Sequence, residues 1–569
     1  MKKLIASLLV LACGLPHAKT VQEKPGGYAV ASAHPLATNA GLAVLAKGGN
    51  AFDAVIAVSA VLAVVAPYHS GLGGGGFWLL HRAEDKKNTL IDGREVAPLA
   101  AHKTMFWDKN GKVIPELSLN GGLAAAIPGE PAALAYIASH YGKLPLSESL
   151  APAIQLAENG FPVDQQFYNF STMSDRLEQM RKYPATARVY LHDGQPYSVG
   201  ECLKQPELAK TLRLLASKGH AGFYQGEVAE KLVAGARAAG GIWTLEDLSN
   251  YKVKEREPLQ GAYHNMLIIT APPPSAGGIE LLTMLNILSA FPLESLDRAQ
   301  WIHYLVEAMR LSFWQGNQML ADPDFVKIPV ERLISAAEAK KLREFISPDK
   351  ATPSSTLAES RFFHGGKNTT HIAILDKEGN RVSATLTVNF IFGSSVVAEG
   401  TGVLLNDEMD DFSSKPGQKN VYGLVGSELN VIEPGKRPLS SMTPSFLETP
   451  GRLAIVGTPG GSRIPTMVLI AALAFYDYGG AISMVSTMRF HHQYLPDWLQ
   501  FEPDAFSLQV QDKLKKMGYQ LMPLDQPYGD MQAITWDRER NIISAASDPR
   551  RIGRASVISQ IPTGYGLTH

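Results

Sequence analysis

The feature that most constrains this chain is a polar stretch that runs straight into two strand-like segments joined by a polar turn. Residues 347–368 are rich in Ser, Thr, Lys and Pro and end in His364-Gly365-Gly366-Lys367-Asn368, so they read as an exposed, mobile loop. Strand-like runs follow at Thr369 to Leu375 and Arg381 to Phe390, around the turn Asp376-Lys377-Glu378-Gly379-Asn380. If the five turn residues form the hairpin loop, Leu375 pairs with Arg381 and Thr369 faces Thr387. Alternation along the strand then sets Thr385, Thr387 and Asn389 on the face that carries Thr369. A slip of one residue destroys that row. Threonine is common in strands, so the row alone does not decide between structure and chemistry.

At 569 residues, 45% hydrophobic and 19% charged, the chain has ample material for a globular core. A net charge of −1 without any Lys/Arg block gives no footing for nucleic acid or an anionic membrane, and suits a small-molecule or peptide substrate. Residues 1–18 read as a signal peptide, with Lys2 and Lys3 ahead of an apolar run and a cleavage site after Ala18. Its loss takes the net charge to −3. Lipid attachment at Cys13 is the minor alternative. The longest apolar run beyond the signal, Ala54 to Ala66, is too short to span a bilayer, so no transmembrane segment is expected. Cys202 then has no partner in the mature chain and reads as a buried or idle thiol.

Pro35 marks the start of a first helix, Gly48-Gly49 its stop, and Asn50 the cap of a second, apolar on nearly every side and therefore buried. The glycine run from Gly71 to Gly76 lacks a following Gly-Lys-Ser/Thr and is no phosphate loop; it demands close backbone packing or unusual dihedrals. Helical patterns dominate from Pro128 to Glu344. His491-His492 invites a metal reading, but no cysteine or spaced carboxylate accompanies it, and neither metal nor cofactor is expected.

Four motifs in order carry a resemblance: Thr369-Thr370-His371, Asn406-Asp407-Glu408-Met409-Asp410-Asp411-Phe412, Lys436-Arg437-Pro438-Leu439-Ser440-Ser441-Met442-Thr443-Pro444, and Thr458-Pro459-Gly460-Gly461-Ser462-Arg463. With Asp92-Gly93-Arg94-Glu95 and several supporting pieces, the chain from Gly26 to Tyr565 resembles the γ-glutamyltranspeptidases of the N-terminal nucleophile hydrolase superfamily. The resemblance implies an α+β fold, a four-layer αββα sandwich autoprocessed into two associated subunits, here 19–368 and 369–569, cut between Asn368 and Thr369. It implies an enzyme that takes glutathione and other γ-glutamyl compounds and passes the glutamyl group to water or to an amino acid or dipeptide, and the signal segment places that enzyme across the inner membrane, in the periplasm.

In that reading Thr369 is the nucleophile and its own α-amino group the base, Thr387 orients it, and the N–H groups of Gly460 and Gly461 form an oxyanion hole. Arg94, Ser440 and Ser441 would take the substrate α-carboxylate, Asn389, Glu408 and Asp411 its α-ammonium, and Tyr422 would cover the bound group. Two departures stand outside this set: Gln315-Gly316 where the family usually carries Asp-Arg, and Ala133 where glycine is usual. The rivals are a related cephalosporin, glutaryl or poly-γ-glutamate-cleaving acylase, and an uncleaved γ-glutamyl-binding protein.

Overall fold

The computed structural model describes residues 21–357, 369–415 and 427–559. Asn368, Tyr422, Cys13 and the whole proposed signal segment lie outside these residues.

Two antiparallel sheets, of seven and six strands, make the centre of the molecule. In chain order the strands are β1 (Gly27–Ser32), β2 (Gly75–Arg82), β3 (Lys87–Gly93), β4 (Lys254–Arg256), β5 (Leu259–Tyr263), β6 (Met266–Thr270), β7 (Thr370–Leu375), β8 (Arg381–Thr387), β9 (Ser445–Thr449), β10 (Arg452–Gly457), β11 (Gln532–Asp537), β12 (Ile542–Ser547) and β13 (Arg554–Ser559). The first sheet runs β13-β1-β7-β8-β2-β3-β4 and the second β12-β11-β10-β9-β6-β5.

Alternation along β7 explains the layering. Ile372 and Ile374 join the core shared with helices α1 (Pro35–Ala46) and α2 (Ala51–Val65). Ala373 and Leu375, on the opposite face, join a second core with Phe446, Ile455 and Ile534 of the second sheet. Helices α3 (Gly277–Leu288) and α5 (Ile464–Tyr476) cover that sheet's outer side, with α4 (Arg298–Met319) packed on α3. The order helix, sheet, sheet, helix is the expected αββα sandwich.

Every residue of α2 is buried, which its nearly all-round apolar sequence requires. Its start is a capping box in which the Asn50 side chain accepts from Asp53 N and the Asp53 carboxylate accepts from Asn50 N. Asp376 secures the turn between β7 and β8: one carboxylate oxygen accepts from Glu378 N and Asn380 N, and the other reaches Ala51 N at 2.9 Å. The central hairpin is thus pinned to the helix beneath it.

Three expectations need correction. The stretch read as helical contains β4, β5 and β6, the last an internal strand of the second sheet, one in from its edge. Met-Leu-Ile-Ile-Thr is too short for periodicity to separate strand from buried helix. The second strand of the central hairpin stops at Thr387, and Asn389 turns away at φ 70° instead of continuing the row. Cys202 is free and exposed, not buried, with its sulfur 3.8 Å from the Asn159 carbonyl.

Candidate active site

The β7–β8 register is the expected one: Leu375 opposes Arg381 and Thr370 opposes Leu386, which sets Thr369 against Thr387 one step further out. Both threonines are buried. On the same face, His371 Nδ1 meets Thr385 Oγ1 at 2.9 Å, and Ser383 Oγ sits 3.3 Å from His371 Nε2. Burial lowers the His371 imidazole to about 3, so this ring is neutral and its role is to hold the face together. Gly457, at the end of β10, lies so close to the ring that an added Cβ would fall 2.3 Å from it. That contact brings the segment after β10 up to the start of β7.

The segment is Thr458-Pro459-Gly460-Gly461. Gly460 has φ 142° and Gly461 φ 57°, values that favour glycine. They open a short helical turn, Gly461–Arg463, which runs directly into α5. The leading N–H groups of such a helix have no intrahelical acceptor, and the helix dipole places positive charge there.

The glycine run before β2 is a close-packing device. Gly75 opposes Thr387, and a Cβ on Gly75 would lie 2.3 Å from the Gly93 carbonyl and 2.8 Å from the Glu95 carboxyl. Bare backbone here lets Arg94 and Glu95, which follow β3, sit beside the threonine face. Arg94 is buried and fully engaged. It pairs with Glu408 through Nη1 and with Asp411 through Nη2 at 2.5 Å, and donates to the carbonyls of Pro438 at 3.2 Å and Leu439 at 2.9 Å. Those carbonyls lead into Ser440, whose Oγ accepts from Met442 N, and the half-buried Ser441. Burial opposes the Arg94 charge, but Glu408, Asp411 and Glu95 outweigh it and hold the guanidinium above its ordinary pKa. Burial raises the carboxyls of Glu408 and Asp411, against the pull of Arg94.

Asn389 connects the two halves. Its N–H donates to Thr387 Oγ1 at 2.8 Å, and its side-chain amide donates to the Asp407 carbonyl at 3.0 Å, one residue before Glu408. The structure therefore gathers Thr369, Thr387, Asn389, Glu408, Asp411, Arg94 and Ser440 along one connected path.

Sequence reasoning assigned no role to Asn406, Asp407, Glu95 or Glu130. Asn406 accepts from Ala126 N and Glu408 N and donates to Gly73 O and Ala126 O, locking the acidic segment onto the glycine run. Asp407 accepts from Phe390 N at 2.8 Å. Glu95 and Glu130 are fully buried, and burial raises both carboxyls, Glu95 to about 7. The first three were visible inside the motifs as polar residues within two positions of assigned ones; Glu130 carried no signal. The paired histidines belong to the scaffold: His491 contacts Thr466 and Gln493, and His492 contacts Asp497 and accepts from Tyr494 N. Ala133 is buried near Gly93, and Gln315 reaches Glu338, both outside this path.

The family model for γ-glutamyltranspeptidase matches residues 37–558. The chain belongs to the γ-glutamyltranspeptidase family. It is 42% identical to a glutathione hydrolase proenzyme of Pseudomonas sp. (strain A14) over 97% of each chain. Against the Escherichia coli (strain K12) glutathione hydrolase proenzyme it is 38% identical, over 92% of this chain and 90% of the relative. Among solved structures, the cephalosporin acylase from Bacillus halodurans superposes with a TM-score of 0.82 at 27% identity, covering 97% of this chain and 99% of that one. The γ-glutamyltranspeptidase of Helicobacter pylori does so with a TM-score of 0.56 at 41% identity, covering 59% of this chain and 97% of that one. As a γ-glutamyltranspeptidase-family chain it is an enzyme with the N-terminal nucleophile hydrolase fold, and no helix among the described residues is long and apolar enough to cross a membrane.

Proposed function

We propose that the chain is exported as a precursor to the periplasm, cuts itself between Asn368 and Thr369 into subunits 19–368 and 369–569, and then hydrolyses or transfers the γ-glutamyl group of glutathione and related amides. One observation carries this reading: the hairpin register sets Thr369 opposite Thr387, and Asn389 ties that pair to the Arg94–Asp411 charges.

Maturation comes first. Thr369, a β-branched residue, has φ 152°, an unfavourable torsion of the kind that costs about 1–3 kcal/mol. That torsion exists only while residue 368 is attached, so cleavage removes it. Thr369 Oγ1 attacks the Asn368 carbonyl carbon, the acyl group passes from nitrogen to oxygen, and water opens the ester. The freed α-amino group, with an ordinary pKa of about 7.7–8.0, is then available as a base.

In turnover, the amino group takes the Thr369 hydroxyl proton as the oxygen attacks the γ-carbonyl of the substrate. The oxygen of the tetrahedral intermediate gains negative charge and meets the Gly460 and Gly461 N–H groups at the positive end of α5. The proton passes to the departing amine, leaving a γ-glutamyl ester on Thr369. Water or the amine of an acceptor opens that ester by the reverse steps.

The pairing within the structure supports a reading of how a zwitterionic substrate is chosen. Arg94 and Asp411 neutralise each other. A γ-glutamyl group brings an α-carboxylate for Arg94 and an α-ammonium for Asp411 and Glu408, so the exchange adds no net charge to the buried cluster. The test is Thr369→Ala against wild type, read by intact mass under denaturing conditions and by γ-glutamyl anilide turnover. Two wild-type chains meeting at 368/369, with one inert chain in the variant, are expected; cleavage in Thr369→Ala would remove the nucleophile assignment.

A further inference from the structure

Asp411 and Leu439 belong to two segments that meet beside Arg94, and two side chains connect them. Arg94 is the first: its Nη2 donates to the Asp411 carboxylate at 2.5 Å and to the Leu439 carbonyl at 2.9 Å. Asn430 is the second. Its Nδ2 donates to the Asp411 carbonyl at 2.7 Å, and its Oδ1 accepts from Leu439 N at 3.1 Å. A carbonyl needs the NH2 end of the amide and an N–H needs its oxygen, so the two partners fix which way the side chain points.

A substrate affects these links differently. Arg94 reaches Asp411 through the charges that a γ-glutamyl group takes over with its own carboxylate and ammonium, so that link opens as the substrate enters. The Asn430 side chain bonds backbone on both sides, which the exchange of charges leaves in place. Asn430 is itself firmly held. It is buried and ends a short 3-10 turn, Glu428–Asn430. Its carbonyl accepts from Ser413 N at 2.9 Å, and the carbonyl of Leu429 accepts from the buried Lys436 ammonium at 2.8 Å. Lys436 and Gly435 tie into the chain just after Arg94: Ala97 N donates to Lys436 O at 2.8 Å, and Gly435 N donates to Ala97 O at 3.0 Å. Ala97, Met409, Phe412 and Ile432 share a small apolar core there. The segments carrying Arg94, Asp411 and Leu439 thus converge on one loop, and the Asn430 amide spans the join.

We infer that Asn430 is a positioning residue for substrate recognition, a brace between Asp411 and Leu439 that keeps the ammonium-binding and carboxylate-binding poles at their spacing once the Arg94–Asp411 pair has opened. The inference rests on the proposed reading of Arg94 and Asp411 as those two poles. Without the brace, the Asp411 carbonyl and Leu439 N lose buried partners, and the Asp411 carboxylate no longer meets the ammonium at a fixed distance. A glutaryl group, which needs only the Arg94 pole, loses less.

The experiment measures kcat/KM for γ-glutamyl and glutaryl p-nitroanilides on mature two-chain protein, in wild type, Asn430→Leu, Asp411→Ala and the double variant. The readout is the ratio between the two substrates, which cancels the amount of active protein, so a variant that merely folds less well leaves it unchanged. Asn430→Leu keeps the branched shape and removes both hydrogen bonds, and the ratio should fall about fivefold or more. Added to Asp411→Ala, the same substitution should change the ratio by less than about twofold, because the brace acts through Asp411. If Asn430→Leu yields no two-chain protein, Asn430→Ser, whose hydroxyl is too short to span both partners, is read in the same way. A smaller fall in the single variant, or a larger further change in the Asp411→Ala background, overturns the brace. Failure of both variants to mature overturns it too, since Asn430 would then be a requirement of the fold. An unchanged ratio in Asp411→Ala itself would remove the glutamyl-site reading and the brace with it, whereas a ratio lost in Asp411→Ala but kept in Asn430→Leu removes the brace alone.

Discussion

Removing Asp411 should abolish the ability to distinguish a γ-glutamyl amide from the glutaryl amide that lacks only the α-ammonium. In the structure, Asp411 contacts Arg94 at 2.5 Å with a side chain only 13% exposed. On the proposed reading, a γ-glutamyl substrate would take Arg94 with its carboxylate and give Asp411 an ammonium in return. A glutaryl substrate would take Arg94 and bring Asp411 no ammonium. The lost charged hydrogen bond is worth about 1.5–3 kcal/mol, and stranding a mostly buried carboxylate adds to it. A coupling of about 2–4 kcal/mol follows, equivalent to roughly 30- to 700-fold in kcat/KM. The assay compares γ-glutamyl and glutaryl p-nitroanilides in wild type and Asp411→Ala as a double cycle, using only protein whose two chains are confirmed by mass so that slow maturation does not enter. Discrimination should fall below about tenfold in the variant, chiefly through loss of γ-glutamyl turnover. If the ratio is the same in both proteins, the α-ammonium is not recognised at Asp411 and the exchange of charges is wrong.

Two further outcomes follow from the same geometry. Gly460→Ala forces a side chain onto φ 142° with its Cβ 2.6 Å from Met467 Cε, so kcat should fall on the order of 100-fold and self-cleavage should slow in parallel; normal rates for both would remove Gly460 from the oxyanion role. Glu95, raised to about 7 by burial, favours the folded state when protonated. Its contribution is present below about pH 4.5 and is lost as pH rises through about 7, worth about 3 kcal/mol. Denaturant titrations between pH 5 and 8 should therefore show a shallower pH slope for Glu95→Gln than for wild type, and equal slopes would assign the proton elsewhere.

How much of this was legible in the sequence depends on the range of the interaction concerned. The central hairpin was readable because its register is set locally, by a five-residue polar turn and period-two alternation, and Asp376 closes that turn with bonds to residues two and four positions on. The α2 cap was readable for the same reason, since Asn50 and Asp53 are three residues apart. The strand β6 was not, because its identity comes from pairing with Ser445–Thr449, about 175 residues later, and four apolar residues followed by a threonine carry no period of their own. The charged site falls between these cases. Motifs brought Arg94, Glu408 and Asp411 to attention as types suited to a zwitterion, but their mutual pairing across more than 300 residues exists only after the glycine run has let Glu95 pack against bare backbone. Glu130 shows the limit most clearly: a glutamate in the first turn of a helix reads as an ordinary helix-dipole partner, and only the fold buries its carboxyl beside Glu95, where burial and the Glu95 charge raise it against the pull of the Gly71 backbone. Local chemistry thus identified which residues could do the work, while the energetic state of each was fixed by neighbours that the chain brings in from a distance.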